Sequence, residues 1–119
     1  MKELFDMKLL TSEMRKKLPK YKAQENSKDP TVYIKFFHVF SSWYWFVTEG
    51  EPVLDNDGIE VDFHFFGYVK GDFPEWGTFA LSELESINLR GLPMERDKFF
   101  SPQPWSKVKE DYKLYDSVI

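Results

Sequence analysis

Apolar and polar positions alternate with a period of two through the middle of the chain, and a helical period governs only its ends. Leu10, Met14 and Leu18 fall at four-residue spacing around Thr11, a side-chain N-cap, and Pro19 stops the run. This predicts a two-turn helix over residues 12–18, with Arg15, Lys16 and Lys17 turned to water. A polar stretch and the turn signal Asp29-Pro30 follow. Residues 31–40 then read as a strand, with Val32, Ile34 and Phe36 on one side and Tyr33, Lys35 and Phe37 on the other. Ser41-Ser42 breaks it. Residues 43–49 form a second strand, Trp43, Trp45 and Val47 opposing Tyr44, Phe46 and Thr48. Both of its faces are apolar, so it is expected to be covered on both sides.

Residues 50–58 read as loop, ending in the hairpin signal Asp57-Gly58. Ile59, Val61, Phe63 and Phe65 alternate with Glu60, Asp62, His64 and Phe66, the first set facing the core. Gly67 marks a bulge or a close backbone approach before the strand resumes over 68–70. Residues 76–81 form a fourth strand. Ser82-x-x-Glu85 is a capping box opening a helix to about Leu89, with Gly91 as its stop and Pro93 preventing resumption. Residues 94–100 offer a short edge strand, and Trp105, Val108, Tyr112 and Tyr115 share one face of a last helix. The connections between strands are mostly too short for crossover helices. The prediction is an α+β fold: an antiparallel sheet of four to five aromatic-rich strands, with short helices near the N-terminus, after the fourth strand and at the C-terminus. It forms one domain over residues 1–119, with 7–115 as core. Residues 1–6 read as a loose extension, because Met7 begins an equally good start.

Composition sharpens this picture in two respects. Aromatic residues make up 18% of the 119 positions, so a core built on rings is stable at modest size. The absence of cysteine excludes disulfides, thiol catalysis and cysteine-held metals. Acids in Met-Lys-Glu-Leu-Phe-Asp stand where a signal peptide needs an apolar stretch, and no run is long enough for a membrane span. A cytoplasmic protein with no membrane partner is expected. The net charge of −4 is unevenly spread. Residues 1–35 carry nine bases against five acids, whereas residues 49–85 carry ten acids against Lys70 alone.

Several blocks resemble a small bacterial family known as domain of unknown function 2958. They are Leu9-Leu10-Thr11-Ser12-Glu13-Met14-Arg15-Lys16-Lys17-Leu18-Pro19, Asp29-Pro30-Thr31-Val32-Tyr33-Ile34-Lys35-Phe36-Phe37 and Trp43-Tyr44-Trp45-Phe46-Val47-Thr48-Glu49-Gly50. Phe65-Phe66-Gly67-Tyr68-Val69, Leu81-Ser82-Glu83-Leu84-Glu85 and Gly91-Leu92-Pro93-Met94-Glu95-Arg96-Asp97 continue the pattern. The resemblance runs from Met7 to Phe100. It implies plasmids, phages and other bacterial mobile elements, and it implies no established activity, so no catalytic residue is carried over.

Candidate chemistry is sparse. Glu60, Asp62 and His64 share one strand face, and His38 on another strand could complete a metal-ligand set. Same-face neighbours on a strand are roughly 6.8 Å apart, wide for one ion, so a solvated face is the ordinary reading. Asp55-Asn56-Asp57-Gly58 opens like a calcium loop, but its twelfth position is Phe66 and the pattern fails. No nucleophile elbow and no glycine-rich phosphate loop is present, and no cofactor is expected. A metal-free acid–base site using Glu49, Asp62 or His64 has nothing further behind it. Trp43 and Trp45 with Arg15 and Lys16 could stack bases and grip a phosphate backbone, against the repulsion of the neighbouring acidic stretch. The leading expectation is a non-enzymatic accessory factor that binds a protein partner. Its contact surface would be Glu49, Glu60, Asp62, Asp72 and Glu75 with rings beside them, imitating a phosphate array against a host defence system. A nucleic-acid-binding module is the alternative and a metal-dependent enzyme the third reading. No pattern in the chain fixes an oligomeric state.

Overall fold

A computed structural model describes residues 8–114; the extension over 1–6, Met7 and Tyr115 lie outside the described residues. Helix α1 spans Ser12–Lys17 and is followed by strands β1 (Thr31–Val32), β2 (Ile34–Phe37), β3 (Tyr44–Leu54), β4 (Glu60–Lys70) and β5 (Glu75–Ala80). Helix α2 (Leu81–Glu85), the short strands β6 (Asn88–Leu89), β7 (Leu92–Pro93), β8 (Glu95–Arg96) and β9 (Gln103–Pro104), and helix α3 (Trp105–Asp111) complete the chain. The principal sheet has five antiparallel strands in the order β5-β4-β3-β2-β8, and β1-β9 and β6-β7 form two-stranded ribbons. The α+β architecture matches the expectation.

One sheet serves two cores. On one face Ile34, Phe36, Trp45, Val47, Phe63, Phe65 and Phe79 pack against Leu10 and Leu18 flanking α1 and Leu84 of α2. On the other, Phe46 and Tyr68 pack against Val108 of α3 and Leu114. β3 is thus covered on both sides, as its apolar faces required. At the crossing of β3 and β4 the backbones close up. A Cβ on Gly67 would lie 1.8 Å from the Phe46 carbonyl oxygen, so this position accepts only glycine.

Five local expectations are corrected. β3 continues through residues 50–54, expected as loop, because these residues pair with 60–65 and satisfy their backbone there. Ile59 and Val61 are 61% exposed, not core. The β3–β4 hairpin projects past its neighbours, since β5 pairs with β4 only from His64 to Val69. The first strand breaks at Tyr33 and ends at Phe37, so Val32 joins the α3 core while Ile34 and Phe36 join the other. Helix α2 starts two residues early, capped at Ala80 with Glu83 Oε1 accepting the Ala80 amide at 2.8 Å, because Ser82 is bound elsewhere. It also ends at Glu85; Arg90 and Gly91, at φ +55° and +84°, instead turn the β6–β7 ribbon.

Candidate functional site

Of the acids expected to form one surface, three are occupied inside the molecule. Glu49 is placed by a β-bulge: Val47 opposes Gly67 and Glu49 opposes Phe66, so Thr48 is the extra residue. The bulge turns Glu49 onto the α3 face of the sheet, where it is buried, its carboxylate accepting the amides of Lys22 at 2.6 Å and Gln24 at 2.8 Å. Gln24 in turn bridges the Thr31 and Thr48 carbonyls and accepts the Thr31 amide. Residues 20–25 are therefore fastened to the sheet by two polar side chains.

Glu60 pairs with Arg15, whose guanidinium lies 4.8 Å from the Phe63 ring centroid rather than free in water as expected. Asp62 accepts the Ser82 hydroxyl and amide. The Ser82 hydroxyl is the main influence holding the Asp62 carboxyl below its ordinary pKa. His38 is buried, Nε2 bonded to the Leu92 carbonyl at 2.8 Å and Nδ1 accepting the Phe40 amide at 3.0 Å. His64 stands opposite Glu51, whereas His38 follows the segment opposite Tyr44; along β3 these positions are roughly 20 Å apart. Among the described residues no three His, Cys, Asp or Glu side chains gather as a metal-ligand set.

Asp72 and Glu75 are different. Both are exposed and neither side chain makes a hydrogen bond or ion pair with any described residue. Glu75 sits opposite Val69, nine strand residues and roughly 30 Å from Glu60, so the five acids form no continuous patch. Instead Asp72 and Glu75 line a groove of about 330 Å³ together with Trp43, Trp45 and Phe73. Trp43 and Trp45 lie 5.7 Å apart, and the benzo ring of Trp43 rests on Gly71, where a Cβ would meet three of its carbons at 2.6–2.8 Å. Phe73 is 85% exposed in the turn between β4 and β5. Lys70, the one base between residues 49 and 85, opposes Tyr44 and so belongs to the other face. The chain thus brings together two of the expected acids and both expected tryptophans, though Trp45 is mostly buried. Phe73 was missed; an apolar ring between Asp72 and Pro74, in a turn of polar residues, was its signal.

A second groove, of about 400 Å³, opens on the α3 face. Phe66 and Trp76 stack at 5.9 Å along its wall, Trp105 meets Trp76 edge-on at 4.8 Å, and Lys22 of the fastened segment and Lys28 beyond it also line it. Arg15 and Lys16 take no part in either groove. Nearby, Lys35 sits in a filled cage, its Nζ 4.6 Å from the Tyr112 centroid and 4.9 Å from that of Tyr44. Burial opposes this ammonium, but the Tyr112 hydroxyl and the Asp97 carboxylate outweigh it and hold its pKa above the ordinary lysine value.

Among the described residues no helix is long and apolar enough to cross a membrane. No curated protein and no solved structure matches the chain. A family model does match, over residues 9–110, reaching past Phe100 to take in Trp105 and most of α3. The chain therefore belongs to the family described as protein of unknown function (DUF2958).

Proposed function

We propose that this protein is a non-enzymatic binding factor that holds a protein partner in the acidic, ring-lined groove at the β4–β5 turn. One observation carries the reading: Asp72 and Glu75 lack partners among the described residues and stand beside Trp43 and the exposed Phe73. Exposed aromatic rings are the usual anchors of an interface, and charge beside them selects the sign of the partner. The complementary surface is basic. The setting is that of an accessory factor of a mobile element that occupies a host defence protein; the resemblance of the sequence supports the setting, and the acidity of the groove supports the mode of action. The test is a pulldown from nuclease-treated bacterial lysate with wild type and with a Trp43→Ala/Asp72→Asn/Glu75→Gln variant. A stoichiometric protein retained by wild type and lost from the variant is expected. Equal retention by both, or capture of nucleic acid alone, would sink the reading.

A nucleic-acid-binding module is the second reading, favoured by Lys22 and Lys28 beside the stacked Phe66–Trp76 pair in the opposite groove. It requires oligonucleotide binding that weakens with salt and with Trp76→Ala. The absence of binding at about 50 mM salt would remove it.

A further inference from the structure

We infer that the groove at the β4–β5 turn recognises arginine, so that the partner segment it holds presents a guanidinium group rather than a lysine ammonium. This rests on the groove being the docking site, and it adds the chemistry of the occupant.

Charge decides the sign. Asp72 and Glu75 are the charged side chains of the lining, and Lys70 belongs to the opposite face. A cation is favoured and a phosphate or carboxylate is repelled. The rings decide the kind of cation. Trp43, held flat on Gly71, and Phe73, exposed between the two acids, offer planar surfaces in the groove that both carboxylates line. A guanidinium is planar and weakly hydrated, and its fork of donors satisfies carboxylates while its plane lies on an indole. An ammonium is a compact charge that keeps its water in so open a groove. The same chemistry is already met internally on this face of the sheet, where the Arg15 guanidinium lies on Phe63 and pairs with Glu60. Among the described residues lysine is held by several rings at once in the enclosed cage around Lys35, which is half-buried, whereas the exposed Lys22 lies over the single ring of Tyr21 at the longer distance of 5.7 Å. The open groove lacks that enclosure.

The experiment is fluorescence anisotropy of the whole chain with four labelled peptides of one sequence, bearing at a central pair of positions arginine, lysine, citrulline or glutamate. The arginine peptide is expected to bind about tenfold tighter than the lysine peptide, and citrulline and glutamate to bind at background. Trp43→Ala is expected to weaken arginine binding about tenfold. Asp72→Asn/Glu75→Gln, both on exposed positions and leaving the urea midpoint unchanged, should remove the preference for arginine over citrulline. Equal binding of arginine and lysine, lost with Asp72→Asn/Glu75→Gln, overturns the guanidinium assignment and leaves the docking site standing. The guanidinium assignment is likewise overturned if no peptide binds while the variant still loses its partner in the pulldown. Peptide binding indifferent to all three substitutions overturns both.

Discussion

Asp62 on β4 clasps Ser82 at the start of α2, Oδ1 accepting the amide at 3.1 Å and Oδ2 the hydroxyl at 2.6 Å. The same clasp recurs on the other face, where Asp29 accepts the amide and hydroxyl of Ser106 at 2.8 and 2.7 Å. In both cases the serine is the second residue of its helix, so each carboxylate serves as an N-cap delivered from a distant part of the chain. Ser106, through its side chain first, likewise lowers the Asp29 pKa. Two short helices, each too short to be stable alone, are tied to the sheet this way.

Asp62→Ala should therefore destabilise the fold by about 1 kcal/mol at pH 7. The Asp62 pKa is lowered from 3.8, so its contribution is whole above that value and is lost as the pH falls through the native pKa. Urea unfolding of wild type and variant should differ at neutral pH and converge in strong acid. A gap that stays constant down to about pH 2 would show that the carboxylate charge is not what the clasp uses.

Gly67→Ala is expected to cost about 3 kcal/mol or more, because the new methyl group meets backbone that is fixed in the centre of the sheet. Gly77 is the control, lying directly opposite Gly67 with nothing within 4 Å of a Cβ. Gly77→Ala should shift stability by less than about 0.5 kcal/mol. Thermal unfolding of the two variants separates close backbone approach from the general effect of removing a glycine.

Glu49→Ala leaves the Lys22 and Gln24 amides without their acceptor and should cost about 2–4 kcal/mol. The loss is local first. Trypsin should cut after Lys20 and Lys22 much faster in the variant under native conditions, while the sheet persists by circular dichroism. Unchanged cleavage would mean that Gln24 alone holds the segment.

How much of this was legible in the sequence depended on range. The Thr11 cap, the turn at Gly58, the alternation of Phe63 and Phe65 with His64 and the crowding at Gly67 are written within a few residues of themselves. The outward turn of Ile59 and Val61 was not, because alternation says which residues share a face and not where the covering layer ends. The acid surface failed as a unit for a similar reason. Glu60 meets Arg15 from 45 residues away and Asp62 meets Ser82 from 20, and neither partner leaves a mark near the carboxylate. What survives is the pair beside Trp43, in a turn where the acids have nothing folded against them.

The bulge at Thr48 gives β3 two frames of facing. Residues 44–47 follow one parity and residues 49–54 the other, so Trp45 and Gly50 share a side although their numbers differ by five. Straightening the bulge, so that Thr48 took the place of Glu49 opposite Phe66, would act as a frameshift in space. Glu49 and Glu51 would swing to the side occupied by Leu18 and Phe63, and the fastened loop would lose its anchor while every residue of the chain kept its chemical identity. In this strand, register is as consequential as composition, and the one unpaired residue at position 48 is what lets both halves face the right way.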